Sequence, residues 1–160
     1  MAGYSHTEDL LEGLKDYIVD NFETYIDAIL SDKSSDYALP VPTNKDVILG
    51  YMDPEAHDNY PVVFIVPLED KYDVLSMGSD NLEVTAAVWL VIAGYKSTTL
   101  TKQIMRYGAA LRNMFRADFT LGGAVGEITT DTINYYPEMY ADNEMQAVRV
   151  TVKIIQEIVN

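Results

Sequence analysis

The spacing of apolar positions changes along the chain, and each change marks an element. Leu10, Leu11, Leu14, Ile18, Phe22, Ile26, Ile29 and Leu30 recur at intervals of three and four. That is one apolar stripe on a 3.6-residue period, and it predicts an amphipathic helix from Thr7 to Leu30. Glu12, Asp16, Asp20, Glu23 and Asp27 fall mostly on the opposite face. Ser5 and Glu8 have capping-box spacing, in which a hydroxyl and a carboxylate satisfy orphan helix amides reciprocally. From Ser31 to Asp46 the period disappears, and Pro40 and Pro42 favour extended backbone. This segment reads as a long loop, serving either as an arm toward a neighbouring subunit or as plain surface.

Strand patterns follow. Val47 to Tyr51 is short and β-prone, and Pro61 to Pro67 is a continuous apolar run bracketed by prolines. From Leu82 to Tyr95 the period is two, with Leu82, Val84, Ala86, Val88, Leu90 and Ile92 on one face. Beyond Ala86 both faces are apolar, which predicts cover on both sides. A second helix is expected from Thr98 to Phe115, with N-cap candidates at Ser97, Thr98 and Thr99. Its stripe is Leu100, Ile104, Tyr107, Gly108, Leu111, Met114 and Phe115, and the small residues Gly108 to Ala110 suit close approach to a sheet. Thr132 to Tyr140 and Met145 to Ile158 read as a strand pair around a turn at Ala141 to Glu144. The predicted fold is α+β: two main helices on a mostly antiparallel sheet of about four to five strands, in the order α-β-β-β-α-β-β. Leu14, Ile18, Phe22 and Ile26 should pack with Leu111 and Phe115 onto one sheet face. At 160 residues the chain is expected to form one domain, 1–160, with its long loop at 31–46.

Charge sharpens this picture. The net charge is −14, and residues 1–80 hold 17 acids against 4 bases while residues 81–160 hold 8 against 7. Lys96, Lys102, Arg106, Arg112 and Arg116 lie on or beside the second helix. An acidic half and a nearly neutral half suit either well-solvated helix and loop surface or head-to-tail self-association, and a chain this acidic is a poor partner for DNA or an anionic membrane. Cysteine is absent, so disulfides, thiolate metal sites and cysteine nucleophiles are excluded. No apolar run is long enough to span a bilayer, and the first residues lack the pattern of a signal peptide.

Candidate chemistry is sparse. There is no phosphate-binding glycine motif and no Gly-x-Ser-x-Gly; Gly122-Gly123 reads as a turn and Ser76 to Ser79 as a loop. His57, with Asp53 and Glu55, is the best metal candidate, but no second motif completes a shell, and the segment reads as a solvated acidic turn. The expectation is therefore no enzyme, no cofactor and no metal. Twelve tyrosines and one tryptophan are the more telling feature, because Tyr and Trp are enriched where proteins dock. Tyr37, Tyr51, Tyr60, Tyr72 and Tyr140 lie in or beside expected loops, either as docking residues or as half-buried strand ends.

Three stretches carry a resemblance. They are the opening helix Leu10 to Leu30, the run Tyr60-Pro61-Val62-Val63-Phe64-Ile65-Val66-Pro67, and the region Lys102 to Pro137. In the last, Ile104 to Arg112 leads into Phe119 to Val125 and then Ile133-Asn134-Tyr135-Tyr136-Pro137-Glu138, before the terminal alternating strand. In element order and length the chain resembles the tail terminators, also called tail-completion or neck proteins, of tailed bacteriophages. It departs from them in the long 31–46 loop. The resemblance implies an α+β fold and a homo-oligomeric ring, commonly a hexamer, on the head-proximal end of the tail tube. Such a ring stops tube polymerisation and joins the tail to the connector proteins of the neck, with DNA passing through its lumen unbound. The implied location is the virion, after assembly in the host cytoplasm. For the contacts between subunits the sequence nominates Lys102, Arg106, Arg112, Arg116, Tyr37 and Tyr140. A head-completion or connector protein of the same neck is the alternative reading, and a small enzyme or regulatory domain a more distant one.

Overall fold

In the computed structural model, residues 6–33, 38–51, 53–54, 57–94, 97–137 and 145–159 are described. Among them are two helices, α1 (Thr7–Lys33) and α2 (Ser97–Ala117). The strands are β1 (Val47–Leu49), β2 (Val62–Ser76), β3 (Ser79–Ala93), β4 (Glu127–Tyr136) and β5 (Met145–Val159). The fold is α+β, and the element order is the predicted one. The sheet runs β1-β2-β3-β5-β4. Only β1 and β2 pair in parallel; every other neighbour is antiparallel.

Both helices pack on one face of this sheet. Leu14, Ile18, Phe22 and Ile26 join Leu111 and Phe115 over Leu82, Val84, Ala86, Val88, Leu90 and Ile92, as the sequence predicts. Gly108 lets α2 lie close: a Cβ there would stand 3.3 Å from Val148 Cγ2 and 2.8 Å from Tyr135 Oη. The opposite sheet face has no helix among the described residues. Its Val62, Phe64, Val91, Met145 and Ala147 are covered by Ile48, Tyr60, Val66, Trp89, Ala93 and Tyr136 instead. Apolar residues on both faces of β3 thus reflect one helical layer and one thin layer of side chains.

Several boundaries differ from expectation; β4, expected from Thr132, already starts at Glu127 and ends at Tyr136, and the expected turn at 141–144 lies outside the described residues. α1 continues to Lys33, because Ser31 and Asp32 only weakly resist helix at its end. Its cap lies one residue beyond the expected box: the Asp9 carboxylate accepts from the His6 amide at 3.4 Å, and Ser5 lies outside the described residues. Ser97 to Thr99 form the first turn of α2 rather than preceding it. The largest difference is β2, which extends nine residues past Pro67 to Ser76. It turns at Met77-Gly78, where Gly78 takes φ 93°, into β3. Two residues with a glycine at positive φ are sufficient to close a hairpin.

The loop is anchored where it is described. Tyr107 Oη donates to the Pro40 carbonyl at 2.6 Å, and Gln103 Nε2 to the Ala38 carbonyl at 2.8 Å. Leu39 is buried in the main core with Val41 beside it. Residues 38–43 therefore lie back on α2 and do not form an arm.

Candidate interaction surfaces

The sequence-nominated bases lie along one side of α2, exposed except for the half-buried Arg106, because Lys102 and Arg106, like Arg112 and Arg116, are four residues apart. Lys102 and Arg106 meet Lys33 from the end of α1. With Ile29, Met105 and Ala109 they line a groove of about 340 Å³. Arg112 and Arg116 are exposed farther along the helix and do not enter it. Tyr37, Tyr140 and Lys96 lie outside the described residues.

At the other end of the seam between α1 and α2 the charge reverses. Asp16, Tyr17, Asp20 and Tyr25 face the turn after α2, and with Asp118, Leu121 and Gly122 they line a groove of about 520 Å³. Gly13 permits this closeness, since a Cβ there would be 3.1 Å from Ala124 Cβ. The turn is internally tied. Asp118 accepts from the Thr120 amide at 3.0 Å, the Thr120 hydroxyl at 2.9 Å and the Gly122 amide at 2.8 Å. These bonds hold its carboxyl below the usual carboxylate range. Gly122 and Gly123 take φ 70° and 89°, confirming the turn, and Leu121 joins them at 51° with its side chain buried in the core.

A third surface lies on the helix-free sheet face. Tyr51, Phe64, Val66, Trp89 and Val91 line an apolar groove of about 320 Å³. Tyr51 packs on Phe64 with ring centroids 5.6 Å apart, and Trp89 on Tyr136 at 5.0 Å. Arg149, opposite Trp89 on β5, places its guanidinium 5.7 Å from the indole. Its Nε is buried with no hydrogen-bond partner. Strand alternation puts Thr151 on the same face, where its buried hydroxyl is also unpartnered.

The fourth feature is the outer half of the β2–β3 hairpin. Among the described residues β1 pairs with Val63 to Ile65 alone, so β2 is an edge there from Pro67 outward. Pro67 and the irregularity between it and Glu69 blunt that edge. Yet Leu68, Tyr72, Val74, Leu75 and Met77 are all exposed, Val74 by 79% and Met77 completely. Sequence reading missed this arm because Glu69, Asp70, Lys71 and Asp73 interrupt the apolar alternation. Met77-Gly78 was the available signal. Tyr72, expected beside a loop, is within β2.

The metal candidate is resolved differently from expectation. His57 Nε2 faces Asp46 Oδ1 at 2.9 Å, and the pair is largely buried, with side chains 13% and 6% exposed. Asp46 also accepts from the Thr43 amide at 2.8 Å and the Thr43 hydroxyl at 2.9 Å. Burial pushes its carboxyl up, but the bonds from His57 and Thr43 together outweigh it and hold it below its ordinary value. His57 thus clamps the approach to β1 and does not lie in a solvated turn; Glu55 falls outside the described residues. Among the described residues no three His, Cys, Asp or Glu side chains converge. Nor is any described helix long and apolar enough to cross a membrane. No known protein-family profile matches the chain, and no curated protein is significantly similar to it.

Proposed function

We propose that this chain is a structural subunit of a bacteriophage tail: it assembles into a ring, hexameric by the resemblance, that caps the head-proximal end of the tail tube. The ring stops tube polymerisation and offers the surface on which the neck docks. Its action is shape- and charge-complementary binding, with no chemical step. The observation that carries the reading is the pair of oppositely charged grooves at the two ends of the seam between α1 and α2. Lys33, Lys102 and Arg106 line one, and Asp16, Asp20 and Asp118 the other. Two unlike, complementary patches on one subunit are what a heterologous interface needs, and such an interface makes a ring when its rotation closes. The α+β fold, with both helices on one face of a mostly antiparallel sheet, supports the same reading because it is the arrangement the resemblance implies. A net charge of −14 per subunit also suits a conduit through which DNA slides without sticking.

The test is a phage lysate lacking this chain, viewed by electron microscopy. Overlong tails unattached to filled heads are expected, with normal length and joining restored by supplying the chain. Tails of normal length without it overturn the proposal.

A further inference from the structure

The hairpin arm and the aromatic groove are two halves of one contact. We propose that the tip of the β2–β3 hairpin of one copy of this chain docks into the groove lined by Tyr51, Phe64, Val66, Trp89 and Val91 on the helix-free sheet face of a second copy.

Four observations lead there. First, the tip is an apolar knob: Val74, Leu75 and Met77 project into solvent at the end of an otherwise polar arm. Exposed apolar clusters of this kind mark interaction sites. Second, the groove is an apolar hole walled by aromatic rings, and its Tyr51 is 66% exposed, so it is open to an incoming side chain. Third, the charges match. Residues 69–80 hold Glu69, Asp70, Asp73 and Asp80 against Lys71 alone. The groove is flanked by Arg149, which has no ion pair among the described residues and whose buried Nε has no acceptor. An incoming carboxylate from the arm would give that guanidinium a partner while its face stays on Trp89. Fourth, the two halves cannot meet within one molecule. Phe64 and Met77 lie on the same strand and its turn, so knob and hole are roughly 40 Å apart at the rise of an extended strand. The contact must therefore be between copies.

This contact would supply part of the subunit interface that the ring reading requires, and for closure into a ring it rests on that reading. The contact itself is tested on the purified chain and tube capping on tail length, so the two fail separately.

Trp89 is the chain's single tryptophan and lines the groove, so it reports occupancy directly. The experiment follows the full chain by sedimentation velocity and Trp89 emission over a dilution series up to its solubility limit. Concentration-dependent association with a blue shift of Trp89 is expected. Met77→Glu at the tip and Tyr51→Lys at the groove rim should each weaken association on the order of tenfold or more. Both positions are exposed, and circular dichroism and melting temperature should match the wild type. An equimolar mixture of the two variants should regain association that each alone has lost, because it contains one intact knob and one intact hole. A wild type that stays monomeric with unshifted emission overturns the proposal. So does a mixture no more associated than its components, or a Met77→Glu chain that associates like the wild type. Blue-shifted Trp89 emission that persists in dilute Met77→Glu would show that something other than a second copy fills the groove, and would overturn it equally.

Discussion

Phe22 and Asp46 show how differently single residues hold this fold. Phe22 is 1% exposed, and its ring lies 6.2 Å from that of Tyr107 at the junction of both helices. Phe22→Ala should cost about 3–5 kcal/mol, the sum of lost transfer energy and a cavity that rigid neighbours cannot fill. A chemical-denaturation curve measures this, and a change under about 1 kcal/mol would mean that α1 stands off the core. Asp46 acts through polarity. Its carboxyl is held below its ordinary value in the folded state, so its contribution is fully present above the unfolded value and is lost as pH falls through the folded one. Asp46→Ala should cost about 1–3 kcal/mol at neutral pH, because it strands the Thr43 donors and His57. That gap should close in strongly acidic buffer, where the wild-type carboxyl is itself protonated. A gap independent of pH would show that Asp46 acts by packing. Gly126 is a third kind of constraint: a Cβ there would stand 2.7 Å from the Ile155 carbonyl oxygen. Backbone cannot swing aside as a side chain can, so Gly126→Ala should destabilise by about 1–3 kcal/mol, visible as a lowered melting temperature.

At the scale of elements, legibility followed burial. α1, α2 and the inner halves of β2, β3 and β5 were readable because a buried face imposes a period that composition cannot hide. Leu82, Val84, Ala86, Val88, Leu90 and Ile92 alternate because each second residue meets the helices. The outer half of β2 buries no side chain under the helices, its Asp70 only accepting from the Thr7 hydroxyl at the start of α1, so nothing selects an apolar face there, and Glu69, Asp70 and Lys71 blur the strand. The same logic explains the Asp46–His57 clamp. Eleven residues separate the partners, and no periodic pattern links Asp46, in the short 3-10 turn Asn44–Asp46, to a residue beyond β1. The long loop was legible as irregular but not as anchored, because its tie comes from α2. Tyr107→Phe tests that anchor. Removing the hydroxyl leaves the Pro40 carbonyl without this donor and should cost about 0.5–1.5 kcal/mol. Amide exchange should quicken at Leu39 and Val41 more than in β3; uniform exchange would mean that the core contacts of Leu39 hold the loop without it.

For the whole molecule, charge sets two opposing terms in any self-association. Every subunit carries −14, so copies repel at long range, and salt relieves that repulsion. Within a contact, the bases of α2, those of the basic groove and the exposed Arg112 and Arg116 farther along the helix, would face carboxylates such as Asp16 and Asp20 on the next copy, and salt weakens that attraction. Distance decides which term a single substitution reports. At 0.1 M salt the screening length is about 10 Å, so one side chain changes only what lies within its own contact. Arg112→Glu removes one attraction and adds one repulsion, each worth about 0.2–1 kcal/mol for exposed groups. The dissociation constant between copies should therefore rise by about 2- to 30-fold at low salt. The difference from wild type should shrink toward nothing near 1 M salt, where the screening length is about 3 Å. Arg112 is exposed and lies outside both charged grooves, so the fold should be untouched. Sedimentation equilibrium of both chains at several salt concentrations measures the effect. Equal association at every salt concentration would remove Arg112 from the contact between copies. A difference that persists undiminished at 1 M salt would show that the residue acts by shape and not by charge.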